Sequence, residues 1–551
     1  MALARTHSIA LVGVQGHHIE IEADIENGLV ALLLVGLPDP ALREARDRIR
    51  AAIINSKEAW PQRRITVGLS PASLPKRGSS FDVGIAVAIL GAAEVLPAAS
   101  LADLMFIGEL GLDGRLRPVR GVLPAVVAAA AAGFGTVVVP ADNAPEAALV
   151  PGIRALAADS LGSLLGWLRG GCPVEGTAGA AVWQGGSRPP DASRTGLAGE
   201  DVPGRDLAEL VGQPTARRAA EICAAGGHHL LLIGPPGVGK TMLAERLPTI
   251  LPRLEPAAAL EVTAIHSVAG TLPPGSPLLS QPPFCAPHHT ATKAAIVGGG
   301  SGIIRPGAAS LAHHGCLFLD EAPEFARDVL DALRQPLESG EVVVARLGLT
   351  ARFPARFTLL LAANPCPCAQ SSGTGPAAVG PAGAGPAAMG RAMSPSRSAR
   401  AAARSACTCA PAARRRYLAR LSGPLLDRVD VKVEFLPVGR AELLSDRQFT
   451  EPSSVVAKRV ELARERAAFR LRGTRWRLNG EIPGSELRRS YPPAPGALAP
   501  LERAMDLGEI SARGVDRVIR LAWTVADLAG VARPTVTEVS YALGLWLGAA
   551  S

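Results

Sequence analysis

The feature that most constrains the fold of this chain is a glycine-rich segment at residues 234–241. It follows a short apolar run at 230–233 and precedes residues 242–247, whose spacing predicts a helix. A turn of this kind between a strand and a helix directs backbone N–H groups at a phosphate, and the helix dipole adds to the attraction. The segment fits the phosphate-loop pattern G-x-x-x-x-G-K-[ST] at every fixed position. Its residues are Gly234, Pro235, Pro236, Gly237, Val238, Gly239, Lys240 and Thr241.

The side chains of this segment predict ATP with Mg²⁺ as the ligand. Lys240 is expected to reach the β- and γ-phosphates, and the Thr241 hydroxyl to bind Mg²⁺. A second apolar run, 316–319, ends at Asp320 and Glu321. We expect Asp320 to hold Mg²⁺ through water and Glu321 to act as the general base on the attacking water.

A third apolar run, 358–362, is followed closely by Asn364. This amide is the natural polar group to orient the attacking water against the γ-phosphate. The alternative is a turn-forming asparagine before Pro365. The three apolar runs have the composition of buried parallel strands, so we predict an α/β core with a parallel sheet.

The 551 residues are enough for about three domains, and 48% hydrophobic residues with 19% charged residues indicate a globular protein. Two segments rich in Gly, Ala, Ser and Pro cannot supply a core: 171–205, predicted as a flexible linker, and 371–405, predicted as a low-complexity surface insertion. The predicted domains are therefore 1–170, 206–440 and 441–551. The first alternates short apolar runs with helical patterns, as in α/β or α+β domains, and from Ser453 onward the period is helical.

No segment is predicted to enter a membrane. The apolar run 9–14 gives way at once to acidic residues, which excludes a secretory signal peptide. Residues 122–139 approach spanning length, but Pro124, Gly133 and Gly135 interrupt them, so a buried helix followed by a strand is predicted. We expect a reducing, cytoplasmic location, where eight cysteines do not form a disulfide framework.

Several further motifs resemble the YifB/ComM family of magnesium-chelatase-like AAA+ proteins, over nearly the whole chain. They are the phosphate loop, His288-His289-Thr290 with the glycines 298–300, the run 310–321, Ala363-Asn364-Pro365-Cys366-Pro367-Cys368, residues 421–430, and the N-terminal segments 35–39 and 74–82. The resemblance implies a ring, usually of six subunits, that binds ATP between neighbours. It also implies a helical lid formed by the C-terminal domain.

The same resemblance assigns two arginines and a serine. Arg428 resembles the arginine finger that such motors place across the subunit interface, and Arg513 resembles the sensor arginine of the lid. The N-terminal domain is similar to the Lon-protease fold, with Ser80 in the place of the nucleophile. Leu123 stands where the lysine base is expected. Because a serine without a base is a poor nucleophile, we predict an inactive domain.

DNA is the predicted partner, in single-stranded or branched form. The net charge of +8 is weak support, because many soluble proteins carry it. In related motors, insertions such as 286–310 and 340–357 point into the ring channel. The latter is predicted as a β-hairpin, with strands at 342–344 and 356–361 around a turn at Gly348. Cations there can grip a nucleic-acid backbone without reading sequence, or can be ordinary solubilising charges on an exposed hairpin. The candidates are Lys293, Arg346 and Arg352.

Two C-x-C pairs follow the third apolar run: Cys366 with Cys368, and Cys407 with Cys409. Four thiolates can close a tetrahedral zinc site in a reducing compartment. The C-x-C spacing is tighter than the usual C-x-x-C, and the loop between the pairs is longer than in the related family. Both readings, structural Zn²⁺ and free thiols, therefore stay open.

The function that these features imply is a ring ATPase that translocates on DNA. Resemblance to the ComM branch implies branch migration during integration of transforming DNA. The alternative is a magnesium-chelatase-type ATPase that remodels a partner protein. DNA-stimulated ATP hydrolysis distinguishes the two.

Overall fold

A computed structural model gives the structure of the chain for residues 2–36, 41–74, 76, 78–97, 101–170, 182–184, 205–273, 278–300, 304–346, 349–368, 409–438 and 450–548. The predicted insertion 371–405 and Cys407 lie outside these described residues, as does most of the predicted linker 171–205. The domain boundaries at 170, 205 and 440 stay predictions.

The N-terminal region is built on a mixed eight-stranded sheet. Its strand order is β10-β9-β8-β5-β1-β2-β4-β3, and a separate two-stranded sheet joins β6 and β7. The strands are β1 Ala2–Val12, β2 Gln15–Glu26, β3 Ala31–Val35, β4 Arg64–Ser70, β5 Leu104–Phe106, β6 Glu109–Leu110, β7 Leu116–Arg117, β8 Thr136–Pro140, β9 Arg154–Ala158 and β10 Val182–Gln184. The helices are α1 Ala41–Asn55, α2 Asp82–Ala92, α3 Val122–Ala131, α4 Ala144–Ala147 and α5 Leu161–Leu168.

The pattern of β2 shows why this sheet forms. Ile19, Ile21, Ala23 and Ile25 are buried, and the acidic residues between them are half-exposed, as expected where one face of a sheet packs on a core. The predicted helix and strand in residues 122–139 are confirmed as α3 and β8. The strand β10 lies within the segment predicted as a linker and adds to the sheet by antiparallel pairing with β9.

The central region is an α/β fold on a parallel five-stranded sheet of order β12-β13-β16-β11-β17, which confirms the predicted parallel sheet. Its strands are β11 Leu230–Ile233, β12 Phe284–Cys285, β13 Cys316–Leu319, β16 Thr358–Ala363 and β17 Val431–Glu434. Its helices are α6 Pro214–Gly226, α7 Lys240–Arg246, α8 Pro256–Ala269, α9 Lys293–Val297, α10 Ala308–Leu311, α11 Arg327–Ala332, α12 Arg334–Ser339, α13 Pro411–Leu418 and α14 Gly423–Leu426.

The hairpin that interrupts this region differs from the prediction in its second strand. It consists of β14, Glu341–Arg346, and β15, Leu349–Pro354, with Arg346 opposite Leu349. Residues 356–361, predicted as the second strand, mostly belong to β16 of the core sheet instead. The prediction was wrong because an apolar run shows that a strand exists but does not show which neighbour it pairs with.

The described part of the C-terminal region is helical, as the period from Ser453 predicted. Its helices are α15 Ser453–Arg470, α16 Gly484–Ser490, α17 Ala499–Asp506, α18 Ala512–Ala529 and α19 Val536–Leu547. α18 begins at the cap residue Ser511, whose hydroxyl accepts a hydrogen bond from the Gly514 N–H at 3.2 Å, and it ends at Gly530 in the left-handed conformation. Its buried face packs in one hydrophobic core with residues of the parallel sheet.

A buried polar network joins these helices to the sheet. His228, fully buried before β11, lies 3.2 Å from the Asp430 carboxylate and 2.8 Å from the Thr524 hydroxyl. About one helical turn after Thr524 on α18, the Asp527 carboxylate accepts two hydrogen bonds of 2.7 Å from the Arg470 guanidinium. Buried charges are tolerated when they are paired in this way.

The N-terminal region packs directly on the central one. The Gly121 N–H donates to the Ser267 carbonyl at 3.2 Å, which connects the start of α3 with α8. Leu11, Val268 and Phe353 belong to one small hydrophobic cluster, which brings the tip of the β1–β2 hairpin against β15. The β14–β15 hairpin is therefore packed against the N-terminal region at its β15 strand. Among the described residues, no helix combines the length and the apolar character needed to cross a membrane.

We expect Asp527→Ala to destabilise the protein strongly. The carboxylate is 3% exposed and its partner Arg470 is 17% exposed, so the substitution leaves a largely buried guanidinium without its counter-charge. The cost is about 3 kcal/mol, which should appear as a lower melting midpoint of the full chain. Asp506→Ala, at an exposed position on α17, is the matched control. An Asp527→Ala melting midpoint equal to that of the control would contradict a stabilising role for the buried Asp527–Arg470 ion pair.

Candidate nucleotide-binding site

The phosphate loop lies where the sequence predicted it, between β11 and α7. Gly237 and Gly239 adopt φ values of +78° and +99°, which L-residues with a side chain rarely adopt. These two glycines turn the chain through a tight curve, and α7 begins at the next residue, Lys240. The loop therefore presents backbone N–H groups at a helix N-terminus, which is the arrangement expected for a phosphate site.

A cavity of about 270 Å³ lies over this loop. Because β13, β16 and β11 are parallel neighbours, their carboxyl ends meet at one edge of the sheet and line the cavity together. Residues from all three strand ends contribute: Pro236, Gly237, Gly239, Lys240, Thr241, Met242, Asp320, Glu321, Ala363 and Asn364. The structure thus brings together the residues that were predicted separately from three distant segments.

Lys240 is held over the loop by three oxygen atoms. Its ammonium donates to the carbonyls of Gly234 and Pro235 at 2.6 and 2.8 Å, and to Oδ1 of Asn364 at 3.2 Å. Desolvation of the side chain lowers the pKa of Lys240. Asn364, predicted to orient water, here also fixes the position of the lysine.

Thr241 and Asp320 form the pair predicted to hold Mg²⁺. The Thr241 hydroxyl donates to Oδ2 of Asp320 at 2.8 Å, and Oδ1 of Asp320 accepts the Glu321 N–H at 2.9 Å. A hydroxyl and a carboxylate are hard oxygen ligands of the kind that Mg²⁺ prefers. The residues present therefore fit this ion.

Glu321 has a left-handed backbone, with φ of +51°, directly after β13. Non-glycine residues seldom adopt this conformation, and it costs of order 1 to 2 kcal/mol. Its carboxylate contacts a residue that the sequence did not lead us to expect, because Nδ1 of His289 lies 3.3 Å from Oε2 of Glu321. His289 was noted only as part of a family motif.

Comparison with known proteins gives a consistent result along the chain. Three protein-family models match: magnesium chelatase subunit ChlI at residues 206–382 and 386–443, subunit ChlI of Mg-chelatase at 21–143, and the magnesium chelatase subunit ChlI C-terminal model at 450–545. The chain is 38% identical over 551 residues to competence protein ComM of Haemophilus influenzae, covering 99% of this chain and 97% of that one. It belongs to the YifB/ComM family of magnesium-chelatase-like AAA+ proteins.

Two further relatives extend this result. An uncharacterized protein of Mycobacterium tuberculosis is 50% identical over 543 residues, with 98% of both chains covered. YifB of Escherichia coli is 38% identical over 529 residues, covering 96% of this chain and 94% of that one. Membership of the YifB/ComM family implies the use of ATP and Mg²⁺, in agreement with the cavity described above.

The two arginines predicted from the family lie outside the nucleotide cavity of their own chain. The Arg428 guanidinium donates to the Glu338 carboxylate and to the Pro424 carbonyl. Burial lowers the pKa of Arg428, and the nearby charges of Arg334 and Arg513 lower it further. Arg513 is exposed at the start of α18. Glu338 is a second partner that sequence reasoning missed, since nothing in its local sequence indicates this contact.

The three candidate DNA contacts lie at exposed positions, two on the hairpin and one on α9. Lys293 begins α9, and the Arg346 guanidinium donates to the Gly300 carbonyl. Arg352 donates to Oε1 of Glu341 at 2.8 Å, with the two side chains 58% and 36% exposed. Exposed pairs of this kind contribute about 0 to 1 kcal/mol, so they exchange easily for another anion.

Three of the four predicted zinc ligands are described, and the structure brings them together. The Sγ atoms of Cys366, Cys368 and Cys409 lie within 4.8 Å of one another. Cys366 and Cys368 are 3.2 Å apart between sulfur atoms. Cys407 lies outside the described residues.

A second cluster consists of Glu261, His313 and His314. Its nitrogen and oxygen atoms lie as close together as the ligands of a metal ion, within 4.8 Å of one another, but hydrogen bonds already occupy them. The Arg356 N–H donates to Nδ1 of His313 at 3.0 Å, so the neutral ring carries its proton on Nε2. That proton is directed at Glu261, 3.2 Å away. Hydrogen bonds from the two histidines lower the pKa of Glu261 to about 2. The cluster connects α8 to β13 and leaves no lone pair for a metal at Nε2 of His313.

We expect Thr241→Ala to remove most of the Mg²⁺ dependence of ATP binding. Loss of one hydroxyl ligand should weaken binding in Mg²⁺ by roughly tenfold, equivalent to about 1.4 kcal/mol. Affinity in excess chelator should stay unchanged. Titration with a fluorescent ATP analogue measures both, and Thr241→Ser, which keeps the hydroxyl, is the control. If Mg²⁺ strengthens ATP binding by Thr241→Ala as much as by wild type, Thr241 is not a ligand of the metal.

Proposed function

We propose that this protein is a ring-forming ATPase that hydrolyses ATP to translocate on DNA and that drives branch migration during recombination of incoming DNA. The observation that carries the proposal is the convergence of Lys240, Thr241, Asp320, Glu321 and Asn364 at one edge of the parallel sheet. The similarity to competence protein ComM supports the DNA part.

The chemistry of the site follows from its residues. Thr241 and Asp320 would hold Mg²⁺, which when bound supplies positive charge against the phosphate oxygens. Glu321 accepts a proton from water as the water oxygen attacks the γ-phosphorus and the bond to the ADP oxygen breaks. Lys240 stabilises the charge that spreads over the phosphoryl oxygens in the transition state.

The transition state requires more positive charge than one lysine and one metal supply, and we assign this charge to the neighbouring subunit. Arg428 does not line the cavity of its own chain, yet its side chain is only 12% exposed and is held in place by Glu338. An arginine in this position can act on a cavity of an adjacent copy. A ring, usually of six subunits as the resemblance implies, would satisfy this geometry for every copy.

We assign DNA binding to the side of the molecule that carries the β14–β15 hairpin. Lys293, Arg346 and Arg352 are exposed or paired only with groups at the surface, and together they can follow a phosphate backbone. The hairpin base is fixed by its contact with the N-terminal region, which allows its tip to transmit force.

The N-terminal region is proposed to be a Lon-like domain without proteolytic activity. Ser80 lines a cavity with Ser79 and Glu109, and the Ser79 hydroxyl donates to the Glu109 carboxylate. Leu123, in the place expected for a lysine base, is fully buried. The domain would then act in assembly or in admitting the substrate.

The proposal is tested on a three-strand DNA junction. Wild type with ATP and Mg²⁺ should separate the junction, and Glu321→Gln should bind ATP and DNA but separate none, because the amide cannot accept the proton from water. The expected loss of hydrolysis is about 100-fold or more. The double variant Arg346→Ala with Arg352→Ala should bind DNA more weakly and with a smaller salt dependence.

A second measurement, of ATP hydrolysis, distinguishes the alternative, a chelatase-type ATPase that remodels a partner protein, which the matches to magnesium chelatase subunit ChlI favour. Stimulation of ATP hydrolysis by single-stranded or branched DNA supports translocation. An ATPase that no DNA stimulates, and that a protein partner does stimulate, would replace the DNA proposal.

We also propose that Cys366, Cys368 and Cys409 hold a structural Zn²⁺, with Cys407 as the fourth ligand. Metal analysis of the purified, reduced protein should find about one zinc per chain, and Cys366→Ser should lose it. Cys223→Ser, at a buried thiol in α6 away from the cluster, is the control. Absence of zinc in the reduced wild type would dismiss the site.

A further inference from the structure

A group of exposed arginines and aromatic rings at the end of α15 has no part in the nucleotide site. Between Glu465 and Glu481 the sequence holds five arginines and no acidic residue. Two aromatic side chains lie in the same stretch. We call these two rings and three of the neighbouring arginines the aromatic–arginine surface, which consists of Phe469, Arg472, Arg475, Trp476 and Arg477.

The two rings of this surface are open to solvent to different extents. Phe469 is 69% exposed, and within the described ranges no other phenylalanine is exposed. Trp476 is half-buried, with part of its side chain packed against the hydrophobic core. Because a large apolar ring is unfavourable in water, covering Phe469 with a ligand stabilises the complex.

Two guanidinium groups lie over the rings. The Cζ atom of Arg472 is 4.8 Å from the centre of the Phe469 ring, and that of Arg475 is 5.8 Å from the centre of the Trp476 ring. A cation over a ring face is attracted by the negative charge of the π system, which holds the planar guanidinium beside the ring. Positive charge and a stacking surface are thus presented together.

The arginines of this surface carry charge that no carboxylate neutralises within the part of the chain that the structure describes. Arg472, Arg475 and Arg477 are exposed and form no ion pair there. By contrast, Arg470 at the end of α15 is paired with Asp527. The charge of the three exposed arginines is therefore available to an anionic ligand.

The segment that carries the surface is held in a defined turn. The Thr474 hydroxyl donates to the Leu471 carbonyl at 2.8 Å and accepts the Trp476 N–H at 3.2 Å. The Glu481 carboxylate accepts the Arg477 N–H at 2.8 Å, so the first acidic residue after the surface is engaged with the backbone. A ligand meets these side chains on an ordered backbone, which lowers the entropy cost of binding.

The surface lies at the edge of the parallel sheet opposite the nucleotide cavity. The Arg464 guanidinium, near the end of α15, donates to the Ala224 carbonyl at 2.6 Å, shortly before β11 begins. Asn479, which follows the surface, donates to the Thr524 hydroxyl, and this hydroxyl also contacts His228 before β11. The phosphate loop follows the other end of β11. The ATP site and the surface are therefore at opposite ends of this strand.

The β14–β15 hairpin meets the sheet at the same edge as the surface. At the base of the hairpin, the Ala355 N–H donates to the Gly340 carbonyl at 2.8 Å, shortly before β16 begins. Because β16 is the parallel neighbour of β11, the two strands begin at one edge. The hairpin with its candidate DNA contacts and the aromatic–arginine surface are thus both connected to this edge.

We propose that the aromatic–arginine surface binds single-stranded DNA, with an unpaired base on the open face of the Phe469 ring and phosphates held by the arginines. The inference rests on the proposed function, because it adds a second contact for the same polymer. Exposed rings combined with arginines hold a strand without reading its sequence. In duplex DNA the faces of the bases are already stacked, so the surface prefers a separated strand.

This preference gives the surface a place in the proposed reaction. Branch migration displaces one strand at the junction, and the bases of that strand are unpaired. A surface outside the hairpin that holds the displaced strand delays its return to the duplex.

The test measures the affinity of the full chain for a fluorescently labelled oligothymidylate, by anisotropy over a range of salt concentrations. Phe469→Ala should weaken binding about 5-fold or more, the low end of what one stacked base contributes. It should leave the salt dependence unchanged, because no charge is removed. Arg472→Ala combined with Arg475→Ala should reduce the slope of log K against log salt by about 1.4, as expected for two phosphate contacts on a single strand.

Two variants separate base stacking from a change in structure. Phe469→Tyr keeps an aromatic ring and should bind like wild type. Leu462→Ala removes an apolar side chain that is 50% exposed on the same helix, and it should also bind like wild type. Melting curves check that each variant is folded. Should Phe469→Ala fail this check, Phe469→Leu, which stays apolar but has no ring, decides in its place.

An affinity of Phe469→Ala for the single strand equal to that of wild type would overturn the inference. An equal loss of affinity for duplex DNA would also overturn it, because that loss indicates a contact without base stacking. A change in the size of the assembly in Phe469→Ala would instead identify the surface as an interface between copies of this chain, which contradicts the proposal.

Failure of this inference is distinguishable from failure of the proposed function. If single-stranded DNA binds to wild type but stimulates no ATP hydrolysis, translocation fails, and a loss of affinity in Phe469→Ala still supports the surface. If DNA stimulates hydrolysis and Phe469→Ala binds the single strand as wild type does, the surface fails and translocation stands.

Discussion

The parallel pairing of β13, β16 and β11 is the constraint on which the rest of the structure depends. Parallel strands end at the same edge, so the phosphate loop, the Asp320–Glu321 pair and Asn364 meet although they come from distant parts of the chain. The strands are buried on both faces, and burial of such apolar runs against helices is what holds the register. A slip of one residue would turn these side chains away from the cavity.

A second interaction connects the segment before β17 to the C-terminal helices. Arg517 on α18 donates to the Arg428 carbonyl at 3.0 Å and to Oδ1 of Asp430 at 2.6 Å. Burial by itself would raise the pKa of Asp430, but the positive charge of Arg517 and the hydrogen bond from His228 hold this pKa well below its usual range. The segment 428–430, His228 before β11 and the C-terminal helices are therefore connected by one buried polar network.

The two contacts that sequence reasoning missed have a common character. His289 faces the general base and Glu338 faces the finger, so each proposed catalytic side chain has a partner that holds it in place. The side chains of His289 and Glu338 are 32% and 63% exposed, and ion pairs that water reaches in this way are weak.

The amino-acid sequence by itself determined the phosphate loop, the acidic strand end, the parallel sheet and the helical C-terminal region, because each rests on local spacing within a few residues. The sequence did not determine which segment pairs with β14. Residues 356–361 were predicted as its partner, but β15 takes that place, since pairing depends on the whole sheet. Only the tertiary structure decided which groups meet Glu321 and Arg428. The Arg428 partner, Glu338, is 90 residues away in sequence, and contacts across such distances are set by packing, which no local pattern encodes.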